Sequence, residues 1–214
     1  MTMTRDEAVT EIQNTLGFRT DKSSEIVLAL QRAQTKLEMG AVLPWFLQSD
    51  IISISTVNGT ETVLLPASFL REWEDDPLWY FVAGTGGDAD AWTELAKEDL
   101  AFLRDKYPGE GAPIAYAISI DKFYIFPTPD AVYTLKLIYF KADTLLTTNV
   151  TNQWLTYLPY LMVGEAGRLF TPGLRDKDAV RQFQEWAAEG RREMLVENEA
   201  RMNSSRRYVM GGVD

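Results

Sequence analysis

The sequence of 214 residues contains no cysteine and no histidine. This absence excludes disulfides, zinc sites built from Cys and His, and a Ser-His-Asp catalytic triad. Any catalysis would have to rest on Asp, Glu, Lys, Tyr or Ser side chains. We predict neither a cofactor nor a metal site.

Long apolar runs are also missing. No stretch approaches the roughly 20 residues that a helix needs to cross a bilayer, and the first seven residues lack the basic start and apolar segment of a secretory signal. We therefore expect a chain that is made in the cytosol and has no membrane partner. Hydrophobic residues still make up 46% of the sequence, which is enough for a sizeable core.

Positive charge is scarce. The sequence has 21 Lys and Arg residues against 31 Asp and Glu residues, so its net charge is -10. A protein that wraps DNA phosphates needs a basic surface. We therefore expect that the chain does not bind DNA in this way.

Helical patterns occupy the start of the sequence. Thr4 and Glu7 have the spacing of a capping box, in which each residue's side chain accepts a hydrogen bond from the other's backbone N–H. The apolar spacing from Ser23 to Met39 predicts a second helix.

The last third of the sequence is helical again. A segment from Thr151 to Phe170 should be kinked or divided at Pro159. The longest predicted helix runs from Asp176 to about Asn203. Its predicted apolar face consists of Val180, Phe183, Ala187, Met194 and Leu195.

Between these ends the pattern is mostly that of strands. Asn58-Gly59 separates two strand-like runs, 51–57 and 60–65, and such a pair predicts a hairpin. Two helices are predicted here as well, Pro66–Glu72 and Ala91–Lys106. Further strands are predicted at 78–82, 114–120, 123–127 and 132–140, with Tyr133, Leu135, Leu137 and Tyr139 on one face of the last.

These patterns predict an α+β fold. A helical bundle from the N- and C-terminal helices would carry an inserted antiparallel β-rich subdomain. The predicted segments are 1–48 for the N-terminal helices, 49–149 for the insertion, 150–203 for the C-terminal helices and 204–214 for a flexible tail.

A series of short segments from Leu65 onward keeps a particular order and spacing. They are Leu65–Leu70, Asp99–Phe102 before Tyr107-Pro108, Pro113–Ile118, Phe123–Asp130, Tyr139-Phe140, Leu145, Trp154–Met162, a predicted turn at Glu165-Ala166, and Trp186. In this order they resemble the head-to-tail adaptor (connector) proteins of tailed bacteriophages, particularly of short-tailed phages. The resemblance covers roughly residues 50–200, and the N-terminal helices are consistent with it.

The resemblance implies a structural protein rather than an enzyme. Proteins of this family form a homo-oligomeric ring, commonly a dodecamer, under the portal of a DNA-filled capsid. Such a ring extends the DNA channel, lets genome DNA pass without specific binding, and carries tail, nozzle and tail-fibre proteins. The implied location is the portal vertex of the virion, after assembly in the host bacterial cytoplasm.

A basic cluster near the C-terminus is the predicted portal-binding site. In similar adaptors the C-terminal segment reaches the portal, and here the tail after Asn203 shows no periodicity. We expect the tail to become ordered on binding. The predicted binding residues are Arg201, Arg206, Arg207 and Tyr208.

Acidic residues crowd the middle of the sequence. We predict that some of them line the channel and repel DNA, although salt screens such repulsion beyond about 8 to 10 Å. The predicted channel-lining residues are Glu72, Glu74, Asp75 and Asp76.

Two other functions are open at this point. Glu72 with Asp75 or Asp76 could act as the carboxylate pair of a cell-wall hydrolase. Alternatively, exposed aromatics could bind carbohydrate or peptide. In a ring, some of the aromatics Trp45-Phe46, Trp73 and Trp79 are expected to lie in the contacts between subunits.

Two weaker motifs have simpler explanations. Gly84–Gly87 lacks the Gly-Lys-Ser/Thr of a phosphate-binding loop, so we interpret it as an ordinary loop. Asp121 and Asp130 lack the spacing of a calcium loop, and turn chemistry accounts for both.

Overall fold

The computed structural model describes residues 2–73, 78–82, 91–170 and 176–209. The predicted α+β fold is confirmed. The chain divides into two compact units: a helical unit, Met1–Leu47 with Ala142–Asp214, and a sheet unit, Gln48–Lys141. Both ends of the sequence thus build the helical unit, and the sheet unit is inserted between them.

The described helices are six in number. They are α1 (Arg5–Thr15), α2 (Ser23–Glu38), α3 (Leu100–Lys106), α4 (Gln153–Tyr157), α5 (Pro159–Phe170) and α6 (Lys177–Val209). Two 3-10 turns, Thr20–Lys22 and Trp45–Leu47, accompany them. In the described part of the chain, no helix is both long and apolar enough to cross a bilayer.

The described strands all belong to the sheet unit. They are β1 (Ile52–Ser55), β2 (Thr62–Leu64), β3 (Phe69–Glu72), β4 (Leu78–Val82), β5 (Ala91–Glu94), β6 (Ala96–Lys97), β7 (Glu110–Gly111), β8 (Ala115–Ser119), β9 (Lys122–Phe126), β10 (Thr128–Pro129), β11 (Thr134–Leu137) and β12 (Tyr139–Lys141). Two four-stranded sheets have the orders β1-β11-β4-β5 and β2-β9-β8-β6, and two small sheets pair β12 with β3 and β10 with β7.

Local signals set the helix boundaries as predicted. The capping box at the start of α1 is confirmed: the backbone N–H of Thr4 donates to Oε2 of Glu7 at 2.7 Å, and the Glu7 N–H donates to Oγ1 of Thr4 at 3.3 Å. Pro159 divides the predicted C-terminal segment into α4 and α5, as expected. Asn152 caps α4, with its Oδ1 accepting a hydrogen bond from the N–H of Leu155 at 3.0 Å.

The core of the helical unit depends on close packing of α5 against α6. Gly164, Gly167 and Gly190 lie where the two helices meet, and no Cβ would fit at any of the three positions without displacing a neighbour. Phe183 and Ala187 of α6, which face Gly164, are completely buried. The helices therefore pack at a distance that only glycine allows.

The long helix differs from its prediction in two ways. It continues to Val209, about six residues beyond the predicted end. Phe183, Ala187 and Met194 are buried as expected, but Leu195 is half exposed because it falls outside the stripe that faces α5.

The core of the sheet unit is formed by one face of each four-stranded sheet. Leu135 and Leu137 alternate inward along β11, as predicted, and Tyr139 follows on the same face. The predicted strand 132–140 is nevertheless broken at Ile138: β11 pairs with β1 and β4, and β12 pairs with β3. The other buried residues of this cluster are Leu78, Leu95, Tyr116, Phe123 and Ile125.

The predicted hairpin around Asn58-Gly59 is wrong beyond its turn. Gly59 has a positive φ of +70°, but Asn58 lacks the positive φ that a type I′ hairpin turn also requires. Val57 and Thr60 form a single bridge. The strands then separate, since β1 pairs with β11 and β2 pairs with β9. Apolar side chains of both strands reach the core through different sheets.

Both predicted helices in this region are also wrong in part. The segment Pro66–Glu72 forms a turn and then β3, in which the Phe69 ring stacks on Tyr139 at 5.5 Å. Of Ala91–Lys106, only Leu100–Lys106 is helical, and Asp99 caps it by accepting from the Ala101 N–H at 2.8 Å. The preceding residues form β5 and β6, because Leu95 is drawn into the sheet core.

Candidate functional site

Arg201, one of the four predicted portal-binding residues, lies on α6 against the indole ring of Trp45. Cζ of Arg201 is 3.5 Å from the ring centroid, a distance typical of a cation–π contact. Nε of Arg201 is 3.7 Å from Oε2 of Glu197, one helical turn earlier. The side chain is held by its own unit, yet 51% of it remains accessible.

Asn198 positions Trp45 for this contact. The backbone N–H of Trp45 donates to Oδ1 of Asn198, and Nδ2 of Asn198 donates to the carbonyl of Leu43, both at 2.9 Å. The Trp45 ring also meets Tyr157 edge-on, with centroids 4.9 Å apart. The stacked pair is therefore fixed by both α4 and α6.

A cleft of about 210 Å³ lies beside the stacked pair. Tyr157 and Met194 give its walls apolar surface, and Glu193 and Glu197 give them negative charge. Among the described residues that line this cleft, no nucleophile is paired with a base. Their chemistry suits an apolar or basic side chain from a protein partner.

The other three predicted portal-binding residues follow Arg201 on the same helix. The backbone of Arg206, Arg207 and Tyr208 is helical. With a rise of 1.5 Å per residue, the helix extends roughly 12 Å beyond Arg201 before it ends at Val209. Their role in binding stays a prediction.

We expect Asn198→Ala to destabilise the helical unit by about 1 to 2 kcal/mol, because the backbone groups of Trp45 and Leu43 lose their partners. Urea denaturation followed by tryptophan fluorescence would measure this. Asn14→Ala, at an exposed position in α1, is the matched control and should change little. Equal stability of both variants would show that the hydrogen bonds of Asn198 to Trp45 and Leu43 contribute nothing to the free energy of unfolding.

Glu72, one of the four predicted channel-lining residues, is engaged within the sheet unit. Its carboxylate accepts a hydrogen bond from the Tyr116 hydroxyl at 2.5 Å and pairs with the ammonium of Lys97. Only 13% of its side chain is accessible. Glu72 thus links β3 to β6 and β8, while Glu74, Asp75 and Asp76 lie outside the described residues.

The same contacts bear on the hydrolase alternative. Glu72 faces a cation and a hydroxyl, and both of its predicted carboxylate partners lie outside the described residues. In the part of the chain that the structure describes, no three Asp or Glu residues gather as a metal site.

Of the two weaker motifs, the structure describes the aspartates Asp121 and Asp130 but not the glycine-rich segment. Gly84–Gly87 lies outside the described residues. Asp130 accepts a hydrogen bond from the Tyr133 hydroxyl at 2.6 Å, and this bond raises the pKa of Tyr133 to about 12. Asp121 occupies the β8–β9 turn, where its carbonyl accepts from the Leu65 N–H at 2.9 Å. Both aspartates therefore act within turns, as predicted.

One charged cluster, around Glu165, was not predicted from the sequence. Glu165 was expected in a turn, but it lies within α5 and its side chain is completely inaccessible. Its carboxylate binds Lys36 at 3.0 Å, Arg168 at 2.9 Å and Arg191 at 2.8 Å. A single charge in the apolar run 159–167 was the available signal, since such a charge is buried only when it is paired.

Nearly the whole chain matches one known family. The model of the SU10 adaptor protein family matches residues 3–211. The chain belongs to the SU10 adaptor protein family. The resemblance to phage head-to-tail adaptors is thereby confirmed, and it extends over the N-terminal helices as well as residues 50–200. No curated protein matches the sequence.

Membership in this family has general consequences. It implies a phage adaptor, a structural component of the virion that associates with portal and tail proteins. It also favours a protein without catalytic activity.

Proposed function

We propose that this adaptor forms a closed homo-oligomeric ring, a dodecamer, that lies under the portal and extends the DNA channel. The ring assembles in the host cytoplasm and gives tail, nozzle and tail-fibre proteins a platform. The family match over residues 3–211 carries this proposal. Ring interfaces are heterologous, so two different faces of each subunit must complement one another.

The end of α6 is the proposed contact with the portal. Arg201, Arg206, Arg207 and Tyr208 place three positive charges in an acidic chain of net charge -10. The hydrogen bonds of Asn198 and the stacking of Arg201 on Trp45 anchor the helix at the start of this segment. A helix anchored in this way can present its last turns to a partner without losing its own packing.

Electron microscopy tests the overall proposal. The full chain, mixed with the portal protein of the same virus, should form a ring stacked coaxially on the portal. Absence of any association at virion-like salt would overturn the adaptor arrangement proposed here.

We expect the triple variant Arg206→Ala, Arg207→Ala, Tyr208→Ala to weaken portal binding at least tenfold, because it removes two charges and an aromatic anchor from the proposed contact. Binding would be measured by interferometry with immobilised portal. Arg181→Ala with Arg192→Ala removes the same charge from exposed positions elsewhere on α6 and should bind normally. Equal weakening by both variants would reduce the effect to net charge alone.

The acidic segment is proposed to face the channel and limit adhesion of DNA. The combined variant Glu74→Gln, Asp75→Asn, Asp76→Asn should slow genome ejection from assembled particles, because it removes like-charge repulsion. Glu72 stays unchanged in this variant since it binds Lys97 and Tyr116. The rate of ejection would be measured by light scattering and a DNA-binding dye. A normal rate would contradict this role.

A further inference from the structure

The sheet β1-β11-β4-β5 carries a patch of apolar side chains on the face turned away from its core. Strand alternation places Leu135 and Leu137 inward, so Lys136 points to the opposite face, where it is paired with Trp79 of β4. Trp92 lies on β5, beside β4 in this sheet. An outer face that carries two tryptophans is unusual for a sheet surface in contact with water only.

A pocket of about 340 Å³ lies on this outer face. We call it the Trp79–Trp92 pocket; its other lining residues are Ile51, Lys136 and Ile138. Trp92 is 44% exposed. Among the described residues that line the pocket, only Lys136 is charged, and its Nζ is 5.0 Å from the centroid of the Trp92 ring.

The turn between β8 and β9 carries an apolar side chain that is not buried in its own subunit. Ser119 pairs with Lys122, so Ile120 and Asp121 form a two-residue turn. Ile120 has a φ of +58°, where glycine or asparagine is normal and a β-branched residue is strained. Its side chain is nevertheless 96% exposed.

The turn and the pocket have matching properties. The turn offers a branched apolar side chain followed at once by an exposed carboxylate, that of Asp121. The pocket offers apolar walls with one ammonium group at Lys136. Because Ile120 is almost fully exposed, it does not fill the pocket of its own subunit.

We propose that the Ile120-Asp121 turn of one subunit enters the Trp79–Trp92 pocket of a second copy, where Asp121 pairs with Lys136. The inference rests on the proposed ring and identifies one of its contacts. A protruding turn and a pocket on different parts of one subunit form a heterologous contact, so each copy can give its turn to one neighbour and its pocket to the other. Burial in the neighbour explains why an exposed, strained isoleucine occupies the turn.

Charge reversal tests the pairing between copies. In full-length chains, Asp121→Lys and Lys136→Asp should each reduce the fraction of ring seen by sedimentation velocity and electron microscopy at least tenfold. A 1:1 mixture of the two variants should restore assembly, since every contact in an alternating ring again joins opposite charges. The double variant, Asp121→Lys with Lys136→Asp, should assemble alone for the same reason.

Ile120→Gly separates this role from a structural one. Glycine accepts the positive φ, so the isolated subunit should be at least as stable as the wild type, while ring formation should fall at least tenfold. A loss of assembly caused by unfolding would appear as a lower melting temperature. Wild-type assembly by this variant would overturn the proposal.

Cross-linking gives a direct readout of proximity. Ile120→Cys mixed with Ile138→Cys should give a heterodimer with a short bismaleimide, and no native cysteine competes. Ile114→Cys, at another exposed isoleucine, mixed with Ile138→Cys is the control and should give much less. If the wild type forms rings but neither charge reversal nor cross-linking behaves as expected, this contact is wrong, whereas the proposed ring is retained. If it forms no ring even on the portal, the proposed function and this contact both fall.

Discussion

Replacing Gly164 by alanine should lower the free energy of unfolding by about 3 kcal/mol, at the upper end of the range for overpacked cores. A Cβ at this position would lie 2.6 Å from the backbone nitrogen of Ala187 and 2.8 Å from the carbonyl oxygen of Phe183. Both atoms belong to the backbone of α6, so no side-chain rotation relieves the overlap. The two helices would have to move apart along their whole contact.

Thermal denaturation followed by circular dichroism at 222 nm would measure this effect. For a chain of this length, a loss of 3 kcal/mol corresponds to a fall in melting temperature of roughly 6 to 12 °C. Gly109→Ala is the matched control, because a Cβ there meets no atom within 4 Å. The control should be neutral or slightly stabilising, and equal melting temperatures for both variants would show that α5 and α6 are not held as closely as described.

Replacing Glu165 by glutamine should cost about 2 to 3 kcal/mol at neutral pH. Removing one member of a buried ion pair usually costs somewhat more, but here the three cations keep 43 to 51% of their side chains accessible and can regain water. Glutamine keeps the shape of the side chain while removing its charge. Glu189→Gln, at an exposed position on α6, is the control and should change stability little.

The effect of this substitution should depend on pH. Burial raises the pKa of the Glu165 carboxyl, but the hydrogen bonds and charges of Arg191 and Lys36 outweigh burial and hold its pKa below the ordinary value of 4.5. Because the folded-state pKa is lowered, the carboxylate stabilises the fold fully above about pH 4.5 and loses this contribution as the pH falls through the folded-state value.

Urea denaturation of both proteins between pH 3 and pH 7 would test this dependence. The gap between the wild type and Glu165→Gln should be constant above pH 5 and should narrow as the pH falls below 4.5. A gap that stays the same down to pH 3 would mean that the charge of Glu165 is not the source of its contribution.

The helical unit was largely predictable from sequence because its signals are local. The capping residues Thr4 and Glu7 lie within one turn, and Pro159 breaks a helix through its own ring. The buried positions Phe183 and Ala187 follow the helical repeat. None of these signals requires knowledge of a distant partner.

The sheet unit was harder because its strands pair across long stretches of sequence. Leu95 and Leu103 are spaced as on one helix face, yet Leu95 joins the core of the sheets and Leu103 joins a separate cluster under α3. The turn at Gly59 was predictable from its dipeptide, whereas the separation of β1 and β2 depends on partners 58 to 85 residues away. Pairing of this kind is decided by packing and leaves little trace in local composition.

The candidate sites were also predictable only in the parts that depend on local sequence. The excess of positive charge at Arg201 was visible in the sequence, but its contact with Trp45 joins residues at opposite ends of the chain. Trp79 was among the tryptophans predicted to make surface contacts, whereas Trp92, which lines the same pocket, was not. Ile120 gave no signal, because its exposure and positive φ follow from the pairing of β8 with β9.

The split construction of the helical unit also sets an order for biosynthesis. Helices α1 and α2 leave the ribosome first, but α5 and α6, against which they complete a core, are translated last. The intervening sheet unit takes roughly 5 to 20 s to synthesise at bacterial rates, and it can fold in that interval from contiguous sequence. A nascent or prematurely terminated chain therefore lacks the end of α6, and the core of the helical unit closes only after that helix has been made.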